Sequence, residues 1–451
     1  MTFEEALTGW LPGQRWFAGK GAPIDHLAIV ADTVLVDGDP GMRHLIVAVS
    51  QAGGTDRYQL LAGLRTTIPG RLEHAVIGPA GTPAPAGQAW TAYDALHDPP
   101  LTRRLLRAMV GQETIGPLSF AAEPDAAIDT GLDSLVLTTE QSNTSMLFGE
   151  EAILKVFRRP HPGPNPDLEI PRALHRAGSP HVAPPLGWVQ TTLDGMPTIL
   201  AILSAYLRSA TDGWLLAATS VRDLYASDAS CAAEAGGDFA AEAERLGEAT
   251  AEVHRALAEA FGTEELPPGA YRDLAAQMQG RLDGAVAAVP ELARHARLVS
   301  AAFAELATLD EPLTVQRIHG DYHLGQAIRT QAGWVLLDFE GEPAVPLAQR
   351  RARSPALRDV AGMLRSLDYA ARHQLPGHAD PERVRAAARD WICRNQAAFC
   401  AGYAQAGGTD PGKHAVLLRA LTLDKAVYEV LYEARHRPSW LSIPLDSIAD
   451  A

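Results

Sequence analysis

Cysteine is scarce. Cys231, Cys393 and Cys400 leave one thiol unpaired under any disulfide scheme and lack metal-site spacing, so buried thiols in a reducing cytoplasm are expected. No stretch approaches the roughly 20 apolar residues of a membrane helix. The opening Met1-Thr-Phe-Glu-Glu-Ala has no basic region leading into an apolar run, so no secretory leader is expected. Lysine is rare, no repeat of fixed period is present, and positive charge is in deficit. With 39 basic against 54 acidic residues the formal charge is −15. Such a surface is poorly suited to the phosphate backbone of nucleic acid or to an anionic membrane, so neither is expected as a partner. A neutral or cationic small molecule fits better.

What is present is enough to build more than one core. The chain has 451 residues, of which 47% are hydrophobic, and this predicts two or three packed units. Residues 1–88 read as short strands, beginning at Leu27, Thr33, His44 and Tyr58, between Gly/Asp/Pro clusters. The Pro/Gly-rich stretch 78–88 marks the first boundary, and a helix is expected near residues 100–111. Strands return at Ser134, Ser145 and Ala152, followed by a helix with Asn165 as N-cap and Pro166 at its first position. Apolar runs at Gly187 and Thr198 complete an antiparallel sheet. Beyond Tyr206 the period changes to that of helices, at 236–261, 271–289, 293–309 and 381–403, interrupted by one short β pair at Gln326 and Trp334.

The chemistry concentrates in Gln316-Arg-Ile-His-Gly-Asp-Tyr-His-Leu-Gly-Gln and Gly333-Trp-Val-Leu-Leu-Asp-Phe-Glu. This pair resembles the catalytic and metal-binding loops of the aminoglycoside phosphotransferase branch of the protein-kinase-like superfamily. His319, Asp321 and Asp338 match the pattern, and Gln326 stands where asparagine is usual. A sugar hydroxyl needs an acceptor that orients it and takes its proton as the γ-phosphoryl group departs, the role of Asp321. A second carboxylate must hold magnesium from a separate strand end, where Asp338 falls, with Gln326 offering an amide oxygen. His323 is either scaffold or substrate contact.

Ala152-Ile-Leu-Lys-Val-Phe resembles the strand whose lysine contacts the nucleotide phosphates, with Lys155 as the lysine and Glu169 as its partner on the next helix. In an apolar strand a lysine also snorkels outward without any such role. No G-x-G-x-x-G covers the phosphates. Ser142, Asn143, Thr144 and Ser145 offer small polar groups in its place, or form an ordinary hairpin turn. Adenine is expected where the lobes join, near Ser204 and Tyr206.

Strings along the whole chain, among them Gln14-Arg-Trp-Phe-Ala-Gly-Lys, Glu140-Gln-Ser-Asn-Thr-Ser, Asp338-Phe-Glu-Gly-Glu-Pro, Leu357-Arg-Asp-Val-Ala-Gly-Met and Leu423-Asp-Lys-Ala-Val-Tyr-Glu-Val, are similar to actinobacterial maltokinases and their glucosamine kinase relatives. The resemblance implies an α+β, protein-kinase-like bilobal fold with an added N-terminal β-rich cap. The division expected is a cap over 1–88, a nucleotide-binding lobe over 89–206 and a helical lobe over 207–451. It implies ATP and Mg²⁺ as cofactors, a sugar or aminosugar as acceptor, and a monomer or weak homodimer. Leu421-Thr422, Tyr206-Leu-Arg-Ser and Tyr322 depart from maltokinases where a sugar is expected to sit. Glucosamine 6-phosphorylation is therefore the leading expectation, with maltose 1-phosphorylation second and a non-catalytic binding protein third.

A cationic amino group needs carboxylates, because an ammonium buried unpaired is costly. Glu340, Glu342, Glu429 and Glu433 are available, and Tyr432 and Trp440 are suited to stacking on a pyranose. The plainer reading of Glu429 and Glu433 is charge balance on a helix with Lys425 and Arg437.

Overall fold

The computed structural model describes residues 1–83, 89–137, 142–227, 231–342, 345–375, 378 and 381–451. Gln141, part of the expected phosphate-covering turn, lies outside them. Two compact units are present, the first comprising Met1–Glu169 and Ala183–Arg208, the second Ile170–Val182 and Ser209–Ala451.

In the first unit, β1 (His26–Val36), β2 (Gly41–Gln51), β3 (Gly54–Arg65), β4 (Val76–Pro83) and β5 (Ala89–Asp94) form an antiparallel sheet in the order β1-β2-β3-β5-β4. Helix α1 (Phe3–Trp10) opens on a capping box in which the Thr2 and Glu5 side chains satisfy each other's backbone N–H. Its Ala6 and Leu7 share the core of this sheet with Trp16, Phe17 and Tyr58.

Two expectations change here. The runs at Leu27 and Thr33 are one strand, β1, with an irregularity after Ile29. Asp32 does not end it, because its carboxylate pairs with Arg43 on β2 at 2.7 Å. The expected break at residue 88 moves beyond β5, since residues 89–94 pair with β3 and β4. Proline and glycine mark where a chain turns, but they do not say whether the flanking strands belong to one sheet.

A second sheet has β6 (Thr114–Ile115), β7 (Leu118–Ala122), β8 (Ser134–Val136), β9 (Thr144–Phe148), β10 (Ala152–Val156), β11 (Pro185–Leu193) and β12 (Met196–Ala205), in the order β6-β7-β11-β12-β10-β9-β8. Leu105, Leu106 and Met109 of α2 (Pro99–Val110) share one core with Leu61 of β3 and with Leu154 and Leu203 of this second sheet. The join is also polar. Gln59 on β3, 1% exposed, donates its amide to the carbonyls of Phe157 and Leu200, and its amide oxygen faces His44 Nε2 at 3.1 Å.

Burial pushes the His44 imidazole down to about 4, and the Gln59 contact offsets this only in part. An unfolded chain takes up this proton near pH 6.5, whereas the folded one resists until about pH 4. Stability therefore falls as the pH is lowered through that window, by about 3 kcal/mol in total. His44→Gln is expected to flatten the dependence of Tm on pH between these limits, and an unchanged curve would rule out His44 as its source.

Helix α3 (Pro166–Arg176) begins in the first unit and continues into the second. As composition predicts, Asn165 Oδ1 accepts the Asp167 backbone N–H at 2.8 Å, and Pro166 opens the helix. The second unit is largely helical. It contains α4 (Gly213–Ala226), α5 (Ala240–Phe261), α6 (Gly269–Ala288), α7 (Ala296–Leu306), α8 (Leu347–Arg350), α9 (Leu357–Arg372), α10 (Pro381–Gln405), α11 (Ala415–His436) and α12 (Ser442–Asp450). Strand β13 (Thr211–Asp212) joins β16 (Ala327–Arg329) and β17 (Trp334–Leu336), while β14 (Thr263–Leu266) pairs with β15 (Leu313–Gln316).

Helix α9 is the hub of this unit. Of residues 357–371 only Arg358 escapes burial. Gly362 lets the loop after β15 rest on it, since a Cβ there would lie 2.6 Å from the Tyr322 carbonyl oxygen. Among the described residues no helix is long and apolar enough to cross a membrane.

Candidate active site

In the first unit, alternation along β10 buries Ala152, Leu154 and Val156 and turns Lys155 to the other face. The Lys155 ammonium lies 2.9 Å from the Asp167 carboxylate in the first turn of α3. Sequence reading did not name Asp167; the Glu169 it named lies two residues further on in the same turn. The Glu169 backbone N–H is held by the Asn165 carbonyl at 2.9 Å.

Among the expected phosphate-turn residues, Ser142 and Asn143 precede β9, whereas Thr144 and Ser145 lie within it and are buried. Ser145 stands opposite Lys155 in the β9–β10 register. The Thr144 hydroxyl accepts from Arg158 Nε at 2.8 Å. Arg158 also pairs with Asp94 and lies over the Trp16 ring, 4.7 Å from its centroid. Near the expected adenine position, Ser204 is paired within the sheet, and the N–H groups of Ala205 and Tyr206 are engaged by the Pro184 and Glu151 carbonyls, each at 2.8 Å. Neither donor is open to a base.

In the second unit, β15 leads into the loop that carries His319 and Asp321. Asp359 on α9 fixes this loop, accepting the backbone N–H groups of His319 at 2.7 Å and Gly320 at 2.9 Å. Burial alone would raise the Asp359 carboxyl, but His254, 2.9 Å away, and these backbone donors outweigh it and hold the group below the usual carboxylate range. His319 Nε2 donates to the Leu337 carbonyl at 2.8 Å, tying the loop to the strand end that bears Asp338. Asp338 has φ of +60°, in the left-handed region that Asp tolerates better than most residues. Gln326 donates its side-chain amide to Asp338 at 3.0 Å.

His323 feels the charge of both acids. Burial pushes its imidazole down, His319 and Lys425 add to this, and the carboxylates of Asp321 and Asp338 both oppose it. Its Nδ1 accepts the Gly325 backbone N–H at 3.1 Å, so His323 acts as scaffold for the turn. Oxygens of Asp338 and Glu340 come within 4.8 Å of each other, and Glu340 lies 3.8 Å from Arg350.

Asp321 opens onto a cavity of about 630 Å³ that Glu342, Lys425 and Tyr428 also line. Lys425 Nζ is 3.4 Å from Asp321 and 3.5 Å from Glu342, and Tyr428 donates to Glu342 at 2.8 Å. Desolvation would lower the Lys425 ammonium, yet Asp321 and Glu342 outweigh it and push it up.

The other expected sugar contacts do not join this cavity. Glu429 is clamped by Arg365 at 2.7 Å. Burial pushes its carboxyl up although Arg365 opposes this. Glu433, 1% exposed, holds Arg437 through two hydrogen bonds at 2.7 and 2.9 Å. Both carboxylates are therefore committed to arginines, and Glu433 follows its plainer i, i+4 reading. Tyr432 is exposed beside His436, and Trp440 is covered by Arg437, 4.4 Å from the ring. Tyr322, expected near the sugar, turns its hydroxyl into the helical core to meet Thr250 at 2.8 Å.

Sequence reading also missed Asp359 and the catalytic-loop role of Lys425. The one available signal was rarity, since Lys425 is one of only four lysines in the chain.

A loop-borne aspartate facing a cavity, a second aspartate at a β-strand end and a strand lysine paired with a helix carboxylate define a small-molecule phosphotransferase of the protein-kinase-like class. Residues 10–98 match the maltokinase N-terminal cap domain. Glucosamine kinase from Streptacidiphilus jiangxiensis is 34% identical over 343 residues, 72% of this chain and 74% of that protein. The glucosamine kinase of Mycolicibacterium smegmatis is 30% identical over 324 residues, 68% and 77% of the respective chains. A solved glucosamine kinase in complex with glucosamine, ADP and inorganic phosphate superposes with a TM-score of 0.68 at 26% identity, covering 99% of this chain and 98% of its own. The chain belongs to the glucosamine kinase family.

Proposed function

We propose that this protein transfers the γ-phosphoryl group of ATP to the 6-hydroxyl of glucosamine. The observation that carries the reading is the Asp321 carboxylate, opening on the cavity and bridged to Glu342 by Lys425. Asp321 orients the hydroxyl and takes its proton as the new O–P bond forms; the bond between the γ-phosphorus and the β–γ bridging oxygen breaks, and ADP leaves. Lys425 holds one Asp321 oxygen in place, so the other meets the substrate. Glu342 receives the sugar ammonium, since it is the cavity-lining member of the four carboxylates expected to do so.

Lys155, held by Asp167, is assigned to the nucleotide phosphates. The oxygen donors of Asp338 and Gln326 suit a hard cation, and the nearby Glu340 carboxylate deepens the negative potential there. Asp338 and Gln326 would hold a Mg²⁺ ion, which would supply charge neutralisation for the nucleotide phosphates.

Maltose 1-phosphorylation is the second reading, favoured by the cap-domain match. An ATP-consumption assay across glucosamine, maltose, glucose and aminoglycosides, with the product located by phosphorus NMR, separates them. Glucosamine 6-phosphate is the expected product. Dominant turnover of maltose replaces the reading with its alternative, and binding without turnover of any sugar removes both.

A further inference from the structure

Helix α5 holds the catalytic loop on both sides of Asp321. The Thr250 hydroxyl donates to the Leu246 carbonyl at 2.7 Å, so it accepts from Tyr322, the residue after the base, at 2.8 Å. One turn further on, and therefore on the same face of the helix, stands His254, 4% exposed. Its Nε2 lies 2.9 Å from Asp359, the carboxylate that accepts the His319 and Gly320 backbone N–H groups just before the base. The carbonyl of His254 accepts the Gln316 side-chain amide at 2.8 Å, where β15 ends and the loop begins. Residues 316, 319, 320 and 322 are thus tied, directly or through Asp359, to a single turn of α5.

The imidazole is itself fixed from behind. The Tyr403 hydroxyl on α10 lies 2.8 Å from its Nδ1. An ionised carboxylate only accepts hydrogen bonds, so Nε2–H donates to Asp359 and, in the neutral ring, Nδ1 accepts the Tyr403 O–H. Tyr403 reaches this far because α5 and α10 meet backbone to backbone. A Cβ on Gly247 would collide with the Phe399 carbonyl, and one on Gly402 with the Glu244 carbonyl. Neither His254 nor Tyr403 lines the cavity onto which Asp321 opens.

We infer that His254, seated between Tyr403 and Asp359, is a positioning residue for phosphoryl transfer: it holds the loop so that the Asp321 carboxylate meets the acceptor hydroxyl. This rests on the reading of Asp321 as the base. The Nε2–H bond falls on the same Asp359 oxygen that accepts from His319, and it leaves the other oxygen for Gly320. It therefore sets the rotation of the carboxylate on which both backbone groups depend. Without the imidazole Asp359 keeps its burial but loses that orientation, and the loop gains freedom while the cavity wall keeps its side chains. A displacement of about 1 Å in a reacting group costs on the order of 10²-fold in rate.

The test is His254→Leu and His254→Gln in the full chain, assayed with ATP and glucosamine beside a thermal melt, in the wild-type and the Asp321→Asn backgrounds. His254→Leu is expected to lower kcat per folded molecule by about 10- to 100-fold, with KM for both substrates little changed. His254→Gln, whose amide N–H also reaches toward Asp359, is expected to recover most of the loss. In the Asp321→Asn background His254→Leu is expected to cost little more, because a base that has been removed cannot be misplaced and residues that act as a unit are not additive. Tyr403→Phe and Tyr322→Phe decide the matter should His254→Leu not fold, and each is expected to lower kcat by a smaller factor at unchanged KM. Full kcat per folded molecule in His254→Leu, or in both tyrosine variants if it does not fold, overturns the inference. So does a loss undiminished in the Asp321→Asn background, the mark of a general structural role. Both results leave the proposed function intact, whereas turnover that survives Asp321→Asn alone sinks the reading of the base and the inference with it.

Discussion

Replacing Asp321 by Asn is expected to lower kcat for glucosamine by about 10²- to 10⁴-fold, the range for losing a positioned general base. The change is nearly isosteric and keeps a hydrogen-bonding side chain while removing the proton acceptor. The loop should stay in place, because its backbone is held by Asp359 and by His319 bonding the Leu337 carbonyl, and neither contact uses the Asp321 side chain. Steady-state kinetics beside a thermal melt check this. An unchanged Tm with collapsed kcat is the expected pair, and a variant that keeps half its turnover takes Asp321 out of the chemistry.

Lys425→Met carries the second largest effect. The ammonium sits between two carboxylates, with the Tyr428 ring 4.8 Å away. A hydrogen bond to a charged group contributes about 1.5–3 kcal/mol, so a loss of about 10- to 100-fold in kcat is expected. Without the cation, Asp321 and Glu342 share a site with no counter-charge, and Asp321 loses the group that positions it. Lys425→Arg restores charge without the geometry and should rescue activity only in part. A loss of Tm with kcat unchanged would show that Lys425 merely supports the helix packing.

These two residues differ in how visible they were. Asp321 stands in a string with His319 and Asp338, and the order of residues along such a loop is set by what the chemistry needs of them. Lys425 is 104 positions away on a helix, where a lysine reads as surface charge until folding sets α11 against the catalytic loop. Asp359 illustrates the same limit. It is one of several charged residues along α9, and only the approach of the loop at Gly362 gives its carboxylate two backbone donors. Asp167 went unnamed because the phase of a helix against a strand is not encoded in local sequence.

Glu429 and Glu433 show the converse limit. Their chemistry suits an amino group, and only the fold reveals that each also has an arginine partner, Arg365 from another helix and Arg437 one turn on. The strand after the Pro/Gly-rich stretch was hidden for a related reason, since β5 inserts between β3 and β4 in the sheet.

By itself the sequence determined the fold class, strand-rich segments followed by helical ones, and the family motif that carries Asp321 and Asp338, because periodicity and short-range spacing are local properties. Tertiary structure alone decided which carboxylates remain open to a substrate and which are neutralised. It also decided how far the cavity runs beyond the base, because burial and ion pairing depend on side chains brought together from distant parts of the chain.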